Sequence, residues 1–262
     1  FLYEFNLPDA GTFWYHPHSN EPVQMERGMY GALIVRGDDE PVLDAERDLV
    51  LDDLRLDRKG RLAGFGGMIQ SHDGREGDVR LVNGTVEPEL TIAAGQVERW
   101  RIVNAASARY VRLSIGGAPF RILGTDGGLL EAPAVASEVL LPPGDRIDLA
   151  VGPFEEGKEL AIEALVYGRG TIKGRKTERF AQLRVGPAKP SKASIPERLR
   201  SITPLAAASA TPTRTVTFGE KLSLRRGMDF FVDGEAHHQD VPVKVGELQV
   251  WDVVNSTHMD HP

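Results

Sequence analysis

The sequence predicts an all-β protein built of tandem β-sandwiches, with a complete middle sandwich and two partial ones flanking it. Three observations carry this. Short apolar or alternating runs are punctuated by Gly, Pro, Asp and Asn along almost the whole chain. No window holds a long amphipathic helix. A turn-and-strand pattern also occurs twice at matched spacing, as an internal repeat would.

In chain order, residues 1–44 read as the last part of a first sandwich, ending on the strand Ala32–Gly37 and a polar break near Gly37–Glu46. Residues 45–188 read as the second, whole sandwich, with strands at Asp48–Leu54, Val97–Asn104, Tyr110–Ile115, Arg146–Val151 and Leu160–Tyr167. Residues 189–212 are rich in proline and carry the small-residue run Ala206–Ala210, which reads as a linker. Residues 213–262 read as the first part of a third sandwich.

The repeats support this division. Val82-Asn83-Gly84 is followed by Gly95, Trp100 and Asn104; Val232-Asp233-Gly234 is followed by Gly246, Trp251 and Asn255, with the same Gly-x4-Trp-x3-Asn spacing. In the other direction, Gly11 and Thr12–His18 parallel Gly157 and Lys158–Ala164, and Ala32–Gly37 parallels Ala181–Gly186.

Composition narrows the function. The chain has 262 residues, a formal charge of −7 and no cysteine. Zero cysteine excludes disulfides, CxxC redox pairs and thiolate metal sites within this stretch. The acidic balance argues against nucleic acid as a partner. No apolar run approaches the ~18–20 residues of a membrane span, and no secretory signal is visible.

Four of the seven histidines fall in two tight clusters. His16-Pro17-His18 follows an aromatic strand, and residues two apart on an extended segment point the same way. His258-Met259-Asp260-His261 leaves the strand that ends at Asn255. Each pattern alone also fits a polar loop beside a strand. The repeats discriminate: Ser107 and Tyr110 stand opposite His258 and His261, and Ile162 and Ala164 opposite His16 and His18. The same scaffold does without imidazole at all four positions, so the fold does not demand it. A metal site shared between the first and third sandwiches is the expectation, and imidazole-only sets suit copper, zinc, iron or nickel. Asp260, between two candidate ligands, is a candidate catalytic residue that orients an imidazole or takes a substrate proton; a turn residue is the competing reading. His72, His237 and His238 read as loop or surface residues. Asn83-Gly-Thr85 and Asn255-Ser-Thr257 match the glycosylation pattern but read as turn chemistry.

The stretches Gly11-Thr-Phe-Trp-Tyr-His16-Pro-His18-Ser19, Glu26-Arg-Gly-Met-Tyr-Gly-Ala-Leu-Ile-Val35 and Asn255-Ser-Thr-His-Met-Asp-His-Pro262 resemble the three-domain multicopper oxidases, the laccase-like enzymes. Val82 through Asn104 is similar to that family's middle domain. The resemblance implies Greek-key cupredoxin sandwiches, a type 1 copper that takes electrons from a small reducing substrate, and a type 2/type 3 trinuclear cluster that reduces O2 to water. By residue, it implies that His16 and His18 are ligands of the type 3 pair, and that His258 and His261 match the first two histidines of a later ligand motif. The remaining ligands, including the type 1 cysteine, would lie before Phe1 and after Pro262, so both ends are expected to be cut from a longer polypeptide. Periplasmic or extracellular location is implied by the family alone, and an oligomer is compatible with the sequence. Two other functions stay open: a cupredoxin-fold scaffold or binding protein without catalysis, and a copper nitrite reductase.

Overall fold

The computed structural model describes residues 2–38, 40–65, 74–168, 176–205, 214–223, 227–236 and 242–261. His72, His237 and His238, the run Ala206–Ala210 and Pro262 lie outside the described residues. The chain divides into two compact units, one covering residues 1–65, 75–167 and 174–201, the other centred on 202–262.

The first unit opens with strand β1 (Gly11–Tyr15), a five-residue helix α1 (Glu21–Met25) and β2 (Gly31–Val35). Twelve strands follow: β3 (Ala45–Leu54), β4 (Val79–Val82), β5 (Thr85–Val86), β6 (Glu89–Ala93), β7 (Glu98–Asn104), β8 (Val111–Ile115), β9 (Phe120–Thr125), β10 (Gly128–Ala136), β11 (Glu138–Leu141), β12 (Arg146–Val151), β13 (Glu159–Leu165) and β14 (Glu178–Gly186). They form a seven-stranded sheet, β10-β9-β12-β7-β3-β4-β5, and a five-stranded sheet, β11-β8-β13-β14-β6.

Both sheets face one core. Leu49, Leu51, Trp100, Ile102, Ile147 and Leu149 enter it from the larger sheet, and Ile92, Leu113, Ile162, Phe180 and Leu183 from the smaller. All are nearly inaccessible, and burying each large aliphatic side chain contributes ~1.5–3 kcal/mol. The all-β sandwich expectation holds.

Strand β7 is buried on both faces. Trp100 and Ile102 point into the core. Arg99 and Arg101 point the other way and are covered by the opening segment. Arg99 donates to Asp148 at 2.6 Å; Arg101 reaches Asp148 at 3.2 Å and Glu40 at 3.0 Å; Thr12 of β1 donates to Asp148 at 2.5 Å. This charged layer fixes β1 over the outer face of the larger sheet. After β14 the chain runs back across the same unit: Lys192 N–H donates to Asp44 at 2.6 Å, Ser194 N–H to Val42 at 2.8 Å, and Leu199 is buried with Leu123 and Ala150.

The second unit holds a three-stranded sheet of β15 (Arg214–Ser223), β16 (Gly227–Val232) and β17 (Trp251–Asn255), in the order β16-β15-β17. Its construction repeats the β4-β3-β7 edge of the sandwich. In each, two strands run parallel, with Val50 opposite Val103 and Thr217 opposite Val254. The turns match: Asn83 and Gly84 both have positive φ, as do Asp233 and Gly234. Asn83 Oδ1 accepts Val50 N–H at 2.8 Å, and Asp233 Oδ1 accepts Thr217 N–H at 2.7 Å. Each tryptophan indole donates to the residue two before it, Trp100 to Glu98 at 2.9 Å and Trp251 to Gln249 at 2.7 Å. The spacing read from the sequence is therefore a repeat of structure.

Candidate metal centre

The first histidine cluster continues β1. Pairing with β2 runs antiparallel from Gly11 opposite Val35 to Tyr15 opposite Gly31. The ladder stops at Tyr15, and Pro17, which offers no N–H, cannot resume it. The segment stays extended enough to keep one face: Trp14, His16 and His18 stack in a row, with centroid separations of 4.4 and 4.8 Å and the two imidazoles tilted by only 23°. The expectation that the two rings point the same way is met. His16 Nδ1 lies 3.2 Å from the Pro17 carbonyl and 3.1 Å from Glu21 Oε1. Both partners are acceptors, so Nδ1 carries a proton, and in the neutral ring the lone pair is on Nε2. Asn20, in the left-handed region, turns the chain into α1 and brings Glu21 back to His16.

The second cluster sits in the loop leaving β17. Ser256 N–H donates to Phe218 at 2.9 Å, which carries the loop across β15. There Glu220, with a side chain 5 % exposed, accepts both the backbone N–H and ring Nδ1 of His258, at 2.9 and 2.5 Å. His258 itself is 83 % exposed, so a buried carboxylate anchors an outward imidazole. His261 packs its ring 5.0 Å from that of Phe218 and places Nε2 3.2 Å from Thr257 Oγ1. Asp260 is half-buried in the same loop. The contacts that orient the two imidazoles come from Glu220 and Thr257. Neither had been singled out from the sequence, because each becomes a partner only through strand pairing or the loop's folding back.

These residues suit a metal by chemistry and orientation. Imidazoles are borderline-soft ligands, and each of the four retains a ring nitrogen not engaged by the contacts above. A metal-ligating histidine characteristically gives its other nitrogen to a carboxylate, carbonyl or hydroxyl, as His16 does to Glu21 and Pro17. Each cluster supplies two imidazoles, fewer than a closed tetrahedral set. Among the described residues no three His, Cys, Asp or Glu side chains are grouped so as to hold a metal ion.

A buried acidic group near α1 also escaped sequence reading. Glu26 pairs with Arg75 at 2.7 Å, and Arg109 pairs with Asp53 and, at 2.7 Å, with Glu178. Asp52 accepts Tyr30 O–H at 2.5 Å and Asp53 N–H at 2.7 Å. Burial, reinforced by the charges of Asp53 and Glu26, raises the Asp52 carboxyl to about 7, against the opposing effect of those two hydrogen bonds. Burial likewise raises Glu26 and Asp53. The sequence signal was an Asp-Asp pair closing an apolar strand, Leu49-Val50-Leu51-Asp52-Asp53.

Comparisons with known proteins follow the same lines. Residues 1–40 match one family model described as multicopper oxidase, and residues 57–188 match a second with the same description. The multicopper oxidase LPR2 of Arabidopsis thaliana is 26% identical across 98% of this chain, which spans 48% of that protein. The cell division protein FtsP of Xenorhabdus nematophila is 34% identical across 54% of this chain, which covers 31% of its length. The solved structure of the McoA multicopper oxidase from Aquifex aeolicus superposes with a TM-score of 0.81 at 27% identity, covering 95% of this chain and 59% of that one. The chain thus spans about half the length of LPR2 and less of FtsP.

Proposed function

The chain belongs to the multicopper oxidase family, and from that premise we propose that it supplies copper ligands to an oxidase that couples one-electron oxidation of a small reducing substrate to reduction of O2 to water. The substrate class is a phenol, an aromatic amine or a metal ion. His16, His18, His258 and His261 are the candidate ligands, and Asp260 is the candidate group for accepting a substrate proton. Export to the periplasm or cell exterior accompanies this reading as a family expectation. No helix of the described residues is long and apolar enough to cross a membrane.

The supporting observation is that one scaffold occurs with and without imidazoles. Asn104 and Asn255 make the same turn, accepting the N–H two residues on at 3.2 and 3.0 Å. Beyond that turn the sandwich carries Ser107 and Tyr110 where the later copy carries His258 and His261. Packing does not require these histidines, so a ligand role accounts for them. Bound copper would supply the one-electron redox chemistry. The chain's own residues then have three tasks. Glu21 and the Pro17 carbonyl hold His16 through Nδ1, which leaves Nε2 as the nitrogen free for a metal. Pro17 keeps the ladder from resuming beyond Tyr15, so that His16 and His18 stay outside the pairing. Glu220 ties the His258 loop to β15.

The test is oxygen uptake by the full-length protein with a phenol or ferrous ion as reductant, alongside copper content. Reductant-dependent O2 consumption that falls at least tenfold in a His16→Gln/His18→Gln variant supports the reading. Nitrite consumption in place of O2 would assign a nitrite reductase. A second reading, a binding protein without catalysis, is kept because a relative similar across 54% of this chain, FtsP, is described as a cell division protein and not as an oxidase. A full-length protein that binds no copper and consumes no O2 would favour it.

A further inference from the structure

We infer that Tyr30 and Asp52 form a pH-dependent latch: in acid it closes the turn between α1 and β2 onto the end of β3, and it releases that turn as the pH rises towards neutrality. The inference is independent of the copper reading and concerns residues outside the two histidine clusters.

Three buried carboxylates meet at this place: Glu26, which caps α1, and Asp52 and Asp53, near the end of β3. Two guanidiniums serve them. Arg75 pairs with Glu26 at 2.7 Å, and Arg109 pairs with Asp53. Arg75 also donates to the Ala63 carbonyl at 2.7 Å and lies 3.7 Å over the Phe65 ring. Arg109 turns its other nitrogens to the Gly77 carbonyl at 2.6 Å, Glu178 at 2.7 Å and Glu76 at 3.7 Å. Arg80, opposite Asp53 on β4, pairs with Glu178 at 3.3 Å. The groups that act on Asp52 itself are Tyr30, Glu26 and Asp53, none of them a cation. A buried carboxylate with two like charges beside it and no cation is costly, so the closed site favours the neutral acid. Burial first, then the charges of Asp53 and Glu26, raise Asp52 to about 7. Burial and the same carboxylates raise Tyr30 above the usual phenol range, so the phenol keeps its proton and Asp52 is the member of the pair that titrates.

The geometry decides which side opens. Asp52 and Asp53 pair with Leu81 and Arg80 inside the seven-stranded sheet. The turn 26–30 belongs to no strand, and its Arg27, Gly28 and Met29 are exposed. The Tyr30 hydroxyl ties that turn to β3 at 2.5 Å. An ionised Asp52 is stabilised by water, and the turn is the cover that lifts to admit it. The amides of Glu26, Arg27, Gly28 and Met29 all donate to carbonyls of α1. A helix of five residues does not hold alone, so undocking the turn frays these bonds. It also loosens the element that carries Glu21 to His16. Opening returns Asp52 from about 7 to its ordinary 3.8. The open fraction therefore grows about tenfold per pH unit between those values and levels off above them.

The test is amide hydrogen exchange of the full-length protein over residues 26–29, corrected at each pH for the intrinsic exchange rate. Protection is expected to fall about tenfold per unit from pH 5 to pH 7, to be level above about pH 7.5, and to lie below that of β7 throughout. Asp52→Asn places an amide N–H where the acid proton would face Tyr30, and cannot ionise. It should keep high protection across the range, with no bend. Glu26→Gln removes one neighbouring charge and leaves Arg75 in excess, so it should move the bend to lower pH. A wild-type profile without the bend overturns the inference, as does exchange of residues 26–29 only together with β7, which would mean global unfolding and no latch. A bend that persists in Asp52→Asn, or one that Glu26→Gln leaves in place, overturns it as well.

Discussion

Tyr30 donates its phenolic proton to Asp52 across 2.5 Å, joining the segment after α1 to the end of β3. The Glu26 and Asp53 carboxylates beside this pair have arginine partners, Arg75 and Arg109. Among the described residues, Asp52 accepts hydrogen bonds from a phenol and a backbone N–H and has no arginine partner. Its folded-state value near 7 lies above the ordinary 3.8, so the folded protein holds a proton that the unfolded chain releases. Stability at this site therefore falls as pH rises from about 4 to about 7, by at most ~1.4 kcal/mol per unit, and then levels off. Urea midpoints of the wild type between pH 5 and pH 8 should follow that course. Asp52→Asn should flatten it, and an undiminished slope in the variant would count against the assignment.

Asp148 and Glu40 together balance two guanidiniums that are almost fully buried, with side chains 1 % and 0 % exposed. Asp148→Ala would leave Arg99 and Arg101 with excess positive charge and Thr12 without its acceptor. The expected loss is about 3–5 kcal/mol, measured by denaturant unfolding. It should be accompanied by increased hydrogen exchange in β1, which this layer holds down.

Asn104 is inaccessible, and its side chain hydrogen-bonds the carbonyls of Arg109 and Leu141 and accepts from Ala106 N–H. Asn104→Ala should cost about 2–4 kcal/mol, since it leaves buried carbonyls unpaired. Asn255→Ala, in an exposed copy of the same turn, should cost less stability while loosening the His258–His261 loop. Thermal melts and loop hydrogen exchange on the two variants separate these effects.

How far this was legible in the sequence follows from where each contact comes from. Trp100, Ile102 and Asn104 alternate along one strand, and local periodicity places them on one face. His16 and His18 are two apart, and the structure stacks them for that reason. The Asn-centred turns repeat because their hydrogen bonds span only two residues. Glu220 and His258 are 38 residues apart and meet only because β15 and β17 pair in parallel. The Tyr30–Asp52 pair depends on how the opening segment lies against β3, which no local pattern encodes. Helix α1 is too short to leave a periodic signal, yet it brings Glu21 to His16.

Two glycines provide a contrast in packing. A Cβ on Gly77 would fall 2.4 Å from the Leu54 carbonyl carbon, which is backbone and cannot yield. A Cβ on Gly31 would meet the ring of Tyr15, an exposed side chain that can swing away. Gly77→Ala is expected to destabilise by about 1–3 kcal/mol and Gly31→Ala by less. Denaturation midpoints decide the order.

The central claim is that the two histidine clusters hold copper. It is tested most directly by copper per chain in the purified full-length protein, compared with His16→Gln/His18→Gln and with His261→Gln. The account predicts that each variant retains its fold by circular dichroism and loses copper relative to the wild type. Wild-type copper content in both variants would contradict it.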